Sequence, residues 1–123
     1  MDAKTYAKMA TDIMRETAAA SAIVRAVYTG QKSDAELGRA LDALANVLRL
    51  ITPHDDGSQW FNNMLNDVMH NIRFARVLVG YVYTGDKTDA ELGKVLDYIS
   101  AANMAVDHAG RILGREAQRY GEG

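Results

Sequence analysis

The stretch VYTGQKSDAELGRALD, at residues 27–42, recurs as VYTGDKTDAELGKVLD at residues 82–97. Twelve of the sixteen positions are identical when the chain is shifted by 55 residues against itself. Self-similarity at a fixed spacing indicates an internal tandem repeat. In each copy a Gly follows a hydrophobic stretch and precedes a Ser/Thr-Asp-Ala-Glu sequence, so each copy predicts a helix, a tight turn and a second helix.

Hydrophobic residues before each repeated turn follow helical spacing. Their steps alternate between three and four residues, which is the spacing of the packing seam of a helix in a bundle. The seam consists of Tyr6, Ala10, Ile13, Thr17, Ala20, Val24 and Val27 in the first copy, and of Phe61, Leu65, Val68, Ile72, Ala75, Val79 and Val82 in the second. A similar seam resumes after each turn. We therefore predict helices near residues 3–28, 34–51, 58–83 and 89–119.

The segment between the copies, TPHDDGS at residues 52–58, predicts a short surface loop. Two hairpins that share one core predict an all-α fold: an antiparallel up-down four-helix bundle made of two tandemly duplicated helical hairpins. We predict a single domain over residues 1–123, with repeat 1 at about 3–52, repeat 2 at about 58–107 and a helix 4 extension at 108–120. Both VYTG turns then lie at one end of the bundle.

The repeated turn has two interpretations, and the first is functional. Lys32 and Lys87 stand beside a Ser and a Thr at helix N-termini, where free N–H groups and the helix dipole attract anions. Tyr28 and Tyr83 would stack on a base. These four residues then form a possible ligand-binding end for a phosphate-bearing molecule.

In the second interpretation the turn is structural. Gly30 and Gly85 follow the last helical residues, where a left-handed backbone favours Gly. The sequences SDAE and TDAE that follow match the capping box, in which the hydroxyl accepts from the Glu amide and the Glu side chain returns to the cap amide. Because this pattern occupies the amides and adds acidic residues, it favours a hairpin corner over a phosphate site.

Gly38 and Gly93 lie inside the second helix of each copy. Gly in a helix interior costs roughly 1 kcal/mol relative to Ala. We interpret both as positions that a neighbouring helix approaches closely, with close approach of a ligand as the alternative.

The composition excludes several classes of protein. Charged residues make up 24% of the chain, hydrophobic residues make up 48%, and the net charge is −2. A dedicated nucleic-acid binder usually carries a strong basic excess, so nucleic acid is not an expected partner. The absence of Cys excludes disulfides, thiolate metal sites and cysteine nucleophiles. Without a long apolar run or a signal-peptide core, we expect a cytoplasmic protein with no membrane segment.

The helix after each turn, AELGKVLDYI in the second copy, resembles a helix of the MazG-type nucleotide pyrophosphohydrolases. The resemblance implies Mg²⁺ held by Glu-x-x-Glu on one helix and Glu-x-x-Asp on the next. In this sequence Glu36 is followed three residues later by Arg39, and Glu91 by Lys94. Since a cation replaces the acid in both copies, the resemblance implies a relative that has lost its catalysis.

Other catalytic and metal-binding patterns are missing from the sequence. His54, His70 and His108 lack the Glu-x-x-His or His-x-x-x-His spacing of helical metal sites. No G-x-S-x-G nucleophile elbow occurs either. We therefore predict no catalytic residue, no metal ligand, no cofactor and no enzymatic activity.

Helix 3 carries a second apolar stripe besides its packing seam. Its members are Phe74, Val77, Leu78 and Tyr81, and the first copy has mostly smaller residues at these positions. A second apolar face suggests a second partner, such as another subunit. The alternative is that helix 3 is simply the most buried helix.

Helix 4 continues beyond the position that matches the end of helix 2. This extension carries Arg111, Ile112, Arg115 and Arg119. An overhanging helix with apolar residues lies most simply against a two-fold mate. Its arginines would meet an acidic partner or a nucleic-acid backbone, or would form a solvated face.

We interpret the chain as a non-enzymatic helical interaction or assembly protein that forms a homodimer and binds a protein partner. Small, Cys-free helical proteins without catalytic motifs are typical of prokaryotic and phage accessory factors, including inhibitors. The alternative is a nucleotide-binding protein, either a degenerate pyrophosphohydrolase relative or a nucleotide sequesterer that uses the twin turns.

Overall fold

The computed structural model describes residues 2–52 and 58–119, with the side chains of α4 given as far as residue 115, and it forms a helical bundle. The helices are α1 (Ala3–Tyr28), α2 (Leu37–Ile51), α3 (Gln59–Tyr83) and α4 (Leu92–Arg119). Three-residue 3₁₀ turns, Asp34–Glu36 and Asp89–Glu91, lead into α2 and α4. Since these ranges contain no strand, the all-α prediction is confirmed. None of the four helices, over its described residues, is both long and apolar enough to cross a membrane.

Each repeated turn ends its helix with the same hydrogen bonds. The Gly30 amide donates to the Val27 carbonyl at 3.0 Å. The Gln31 amide donates to the Ala26 carbonyl at 2.8 Å, and the second copy repeats both bonds. Gly30 and Gly85 have φ values of 79° and 83°, a left-handed conformation that Gly adopts without strain. Both turns are therefore Schellman motifs, as the structural interpretation predicts.

The capping-box prediction is wrong at both turns. The hydroxyls of Ser33 and Thr88 make no cap hydrogen bond. The Ser33 carbonyl instead accepts from the Glu36 amide at 3.1 Å, which is the bond of a 3₁₀ turn. The Glu36 carboxylate pairs with Arg39 at 3.4 Å, and the matching pair of the second copy is 3.2 Å long. The amide is thus satisfied by backbone, and the carboxylate is drawn to the cation one turn later.

The four helices pack around one hydrophobic core. α1 and α3 each contact both α2 and α4, so the contacts form a ring. The predicted seam residues of α1 and α3 are buried, apart from the half-buried Ala10. Near the start of α1 the Tyr6 hydroxyl donates to the Val106 carbonyl, and at its end Tyr28 reaches Gly93.

A polar pair interrupts the packing between α1 and α4, with Thr17 buried and Asn103 half-buried. The Thr17 hydroxyl is fully buried and lies 2.9 Å from the Asn103 side-chain oxygen. Under the shift of 55 residues, Thr17 corresponds to Ile72 and Asn103 corresponds to Leu48. The pair is therefore specific to this interface, where the Thr17 hydroxyl, which also lies 3.1 Å from the Met14 carbonyl, gives the Asn103 side chain a hydrogen-bond partner.

The structure differs from the predicted overhang of α4. Ala109 is buried, and Leu113 packs against the core. A Cβ at Gly110 would lie 3.4 Å from the Tyr6 ring. The reason is helix length: α1, α3 and α4 contain 26, 25 and 28 residues, whereas α2 contains 15. α2 is the short helix, and the extension covers the first turns of α1 and α3. Residue 120, the last of the predicted extension, lies outside the described residues.

Candidate functional site

One face of α3 exposes large apolar side chains on consecutive turns. Phe74, Val77 and Tyr81 are 55%, 53% and 44% exposed. We call these three residues the α3 face. The first copy has three alanines at the corresponding positions, namely Ala19, Ala22 and Ala26. The predicted stripe therefore lies at the surface, and it is present in only one of the two copies.

Tyr98 of α4 joins the α3 face, whereas Leu78 does not. Leu78 is half-buried and packs against the core, so it belongs to the edge of the core. The Phe74 ring stacks on Tyr98, with 5.6 Å between the ring centroids and 26° between the planes. Hydrophobic spacing alone does not predict Tyr98. Comparison of the two copies does indicate Tyr98, because it corresponds to Ala43, just as the residues of the α3 face correspond to alanines.

A groove between α2 and α3 adjoins the α3 face. Its volume is about 580 Å³, and its lining consists of Leu41, Leu48, Arg73, Arg76, Val77 and Gly80. Leu41 and Leu48 are half-buried, and both arginines are exposed. Neither arginine forms an ion pair with any residue that the structure describes. The groove therefore combines apolar walls with two exposed cations.

Ile112, predicted as an interaction residue of α4, lies in a different place. It lines a cleft of about 310 Å³ between α3 and α4, beside Trp60. Trp60 and Phe74 are fourteen residues apart on α3, so the cleft lies about 21 Å along the helix from the α3 face. Ile112 is therefore not part of the α3 face.

The predicted arginines of α4 begin thirteen residues after Tyr98, about 20 Å further along the same helix. Arg111 pairs with Asp107 at 2.8 Å across one turn of the helix. Arg115 is exposed. Arg119 is the last residue of α4, and its side chain lies outside the described part of the chain. A solvated, partly self-paired helix face accounts for Arg111.

The tyrosines of the two turns cross between the copies. A Cβ at Gly93 would lie 3.2 Å from the Tyr28 hydroxyl. A Cβ at Gly38 would lie 3.3 Å from the Tyr83 hydroxyl. Close approach therefore explains both glycines, and the approaching group is a tyrosine ring from the opposite copy. Tyr28 and Tyr83 are nevertheless almost half exposed.

The backbone amides of Lys32 and Lys87 are occupied within these turns. Both lysine amides donate to backbone carbonyls at 3.1 Å, as part of the Schellman turns. The Lys87 ammonium lies 5.9 Å from the centre of the Tyr81 ring, which is a cation–π distance. The lysine amides themselves are therefore not available to a phosphate.

Two carboxyl groups meet at the same end of the bundle. A side-chain hydrogen bond with Asp34 raises the pKa of Asp89, and burial and the Asp34 charge add to the rise. Negative charge at this point opposes binding of a phosphate. Tyr28, Lys32, Tyr83 and Lys87 thus share one end of the fold, where the local chemistry favours the structural interpretation of the turns.

No group of three or more His, Asp or Glu side chains that could hold a metal ion comes together within residues 2–52 and 58–119. Glu36 and Glu91, which carry the resemblance to the pyrophosphohydrolases, are each paired with a cation. Comparison of the chain with protein-family models, curated proteins and solved structures finds no match. That resemblance therefore rests on the repeated helix alone.

Proposed function

We propose that this chain is a non-enzymatic interaction protein that binds a partner protein through the α3 face. The supporting observation is the exposure of Phe74, Val77 and Tyr81 where the first copy has alanines. The same helical hairpin accepts alanine at these positions, so the large side chains are not required to build it. Exposed aromatic and branched side chains that folding does not need are explained by a partner that covers them.

An accessory or inhibitory role extends this proposal. A protein of 123 residues that binds through the α3 face would act by covering a surface of a larger target. The paired glutamates and the lack of catalytic motifs support a role through binding rather than chemistry. Small prokaryotic and phage accessory factors are the class that this description fits.

For the architecture we propose an antiparallel up-down bundle that arose by tandem duplication of one hairpin. Two observations support it. The contacts between α1 and α4 run in opposite directions along the two helices. The Tyr28–Gly93 and Tyr83–Gly38 contacts are the same contact under the 55-residue shift that relates the copies.

Homodimerisation is a separate proposal, drawn from the sequence. Because residues up to Leu113 pack against the bundle, the part of α4 left for a second copy begins near Arg115. Static light scattering tests it: a dimer has a mass well above the 13.5 kDa of one chain. Truncation after Leu113 is expected to return that mass to the monomer value, and a full chain of monomer mass would contradict the proposal.

A matched pair of substitutions tests the main proposal. Val77→Asp places a charge in the middle of the α3 face, and Ala22→Asp places one at the corresponding exposed position of α1. Wild-type protein and both variants are immobilised and incubated with an extract of the native host. We expect mass spectrometry to identify a protein that wild type and Ala22→Asp retain and Val77→Asp loses.

Circular dichroism establishes that both variants are folded before the comparison. Retention of the same proteins by Val77→Asp and by wild type would exclude the α3 face as the binding surface. A wild-type protein that retains nothing specific would count against an interaction role altogether.

A further inference from the structure

The groove beside the α3 face is two helical turns long. Leu41 and Leu48 line it on α2, and Arg73 and Gly80 line it on α3, with the members of each pair seven positions apart. Seven helical residues span about 10.5 Å. These dimensions match the apolar residues that a docked amphipathic helix presents at i, i+3 or i+4, and i+7.

Gly80 has no packing role within the described protein. A Cβ at Gly38 or Gly93 would press on a tyrosine, whereas a Cβ at Gly80 would meet nothing within 4 Å. Gly weakens a helix relative to Ala, so its presence here is unexplained by the free chain. Unlike the exposed Gly114, Gly80 is half-buried and lines the groove. The open space beside it admits a close-approaching backbone.

Two arginines give this groove a local positive charge in a chain whose net charge is −2. Arg73 and Arg76 have no acidic partner among the described residues. The first copy has Ala18 and Ser21 at the corresponding positions. The bundle therefore does not need these arginines, and their charge is complementary to carboxylates on a partner.

We propose that this groove binds an amphipathic helical segment of a partner protein, with its apolar stripe on the groove walls and acidic side chains against Arg73 and Arg76. The proposal rests on the proposed function and adds the chemistry of the partner. The docked helix passes close to Gly80, where any side chain would obstruct it. A second copy of this chain is a poorer occupant, because a two-fold contact would bring equivalent arginines together.

The test uses the full chain and two synthetic peptides. Each peptide is an amphipathic helix with leucines at i, i+3, i+4 and i+7; one carries Glu beside the leucine stripe and the other carries Lys at the same positions. Isothermal titration calorimetry measures binding at low and at physiological salt. We expect the Glu peptide to bind about tenfold more tightly, since each of the two exposed charge pairs contributes up to about fivefold. Its affinity is expected to fall as salt rises.

Three variants locate the binding site. Arg73→Ala combined with Arg76→Ser installs the residues of the first copy and is expected to abolish the preference for the Glu peptide. Gly80→Ala adds a methyl group to open space, so we expect a folded protein that binds the Glu peptide several-fold more weakly. Arg25→Ala removes a cation at the position of α1 that corresponds to Gly80, and it is expected to leave binding unchanged.

Equal affinity for the two peptides would overturn the acidic-partner proposal and leave the proposed function standing, because the groove would then bind apolar helices without reading charge. If neither peptide binds, the acidic-partner proposal is overturned as well. The proposed function is then tested separately, by comparing Val77→Asp with wild type in the host extract. Binding of the Glu peptide that neither groove variant changes would place the site elsewhere and also overturn the proposal.

Discussion

The Tyr28 hydroxyl lies 3.2 Å from the position that a Cβ on Gly93 would take. Tyr28 belongs to the first copy of the hairpin and Gly93 to the second. Tyr83 and Gly38 form the reverse contact. The last turns of α1 and α3 thus contact the second helix of the opposite copy, and this contact explains why both copies keep a glycine inside a helix.

We expect Gly93→Ala to change stability little in the wild-type protein. The gain in helix propensity, about 1 kcal/mol, is offset by a Cβ that displaces the Tyr28 hydroxyl. In a Tyr28→Phe background the obstacle is absent, and the substitution is expected to stabilise by about 0.5–1 kcal/mol. Urea unfolding of the four proteins in this cycle measures the coupling. Additive effects would show that the hydroxyl does not constrain the glycine.

Gly80→Ala is expected to raise the free energy of unfolding by about 0.5–1 kcal/mol. A methyl group here meets no neighbour within 4 Å, so the helix gains propensity without a steric cost. Gly85→Ala is the contrasting control, because its φ of 83° strains any other residue and is expected to destabilise. Thermal unfolding followed by circular dichroism should show midpoints moving in opposite directions.

Tyr6→Phe is expected to destabilise by about 1–2 kcal/mol at neutral pH, because the buried hydroxyl donates to the Val106 carbonyl. Burial, with a smaller effect of the Asp107 charge, raises the pKa of Tyr6 from 10.0 to about 12. The folded protein therefore holds the phenol proton more tightly than the unfolded chain. This contribution is intact below pH 10 and is lost as pH rises towards about 12.

The difference in unfolding free energy between wild type and Tyr6→Phe should therefore shrink over this range. Subtraction of the variant removes the effect of lysines that titrate at similar pH. A difference that stays constant through the range would contradict burial of the phenol.

The Asp34–Asp89 pair predicts a pH dependence of the same sign in the acidic range, where stability again falls as pH rises. The neighbouring carboxyl raises the pKa of Asp89 above 3.8, so the folded protein binds this proton more tightly than the unfolded chain. The pair therefore opposes folding at neutral pH, and this opposition is relieved as pH falls through the raised pKa. A double-mutant cycle of Asp34→Asn and Asp89→Asn isolates the repulsion from the helix-dipole effect of each acid.

At neutral pH we expect the second substitution in this cycle to gain less stability than the first. The coupling should become smaller once both carboxyls are protonated. A coupling of the other sign at neutral pH would mean that the two acids do not repel one another.

Nucleotides with Mg²⁺ are expected to leave the melting temperature unchanged. The amides of Lys32 and Lys87 already donate to backbone carbonyls, and two carboxyls meet at the same end. Differential scanning fluorimetry with several nucleoside triphosphates tests this expectation. A stabilisation that Lys32→Ala with Lys87→Ala abolishes would instead support the nucleotide-binding alternative.

Helix positions and both Schellman turns follow from local sequence. Hydrophobic steps of three and four residues locate the helices, and Gly30 and Gly85 mark where they end. The starts of α2 and α4 are less predictable, because SDAE and TDAE suit both a capping box and a 3₁₀ turn. In the structure each Glu carboxylate pairs with the cation three residues later instead of with the cap amide. The four-residue pattern alone does not say which of these two partners the carboxylate takes.

Contacts between the copies are not visible in local sequence. The stripe of Phe74, Val77 and Tyr81 follows from spacing on a single helix, but its extension onto Tyr98 depends on the angle between α3 and α4. The fit of α4 against α1 likewise depends on the length of α1 rather than on that of α2. Comparing the copies residue by residue recovers part of this information, because replacement of an alanine marks Tyr98 and the α3 face alike.

The reciprocal tyrosine contacts have a consequence for how the chain is assembled. Under the shift of 55 residues, Tyr83 of the second hairpin would lie over Gly93 of another identical hairpin. We expect a peptide of residues 58–119 to associate with itself as a two-fold pair. Joining the halves in one chain replaces that bimolecular encounter with an intramolecular one and fixes the effective concentration of each half. Once joined, the halves are free to diverge, which permits the exposed side chains of the α3 face on one half only.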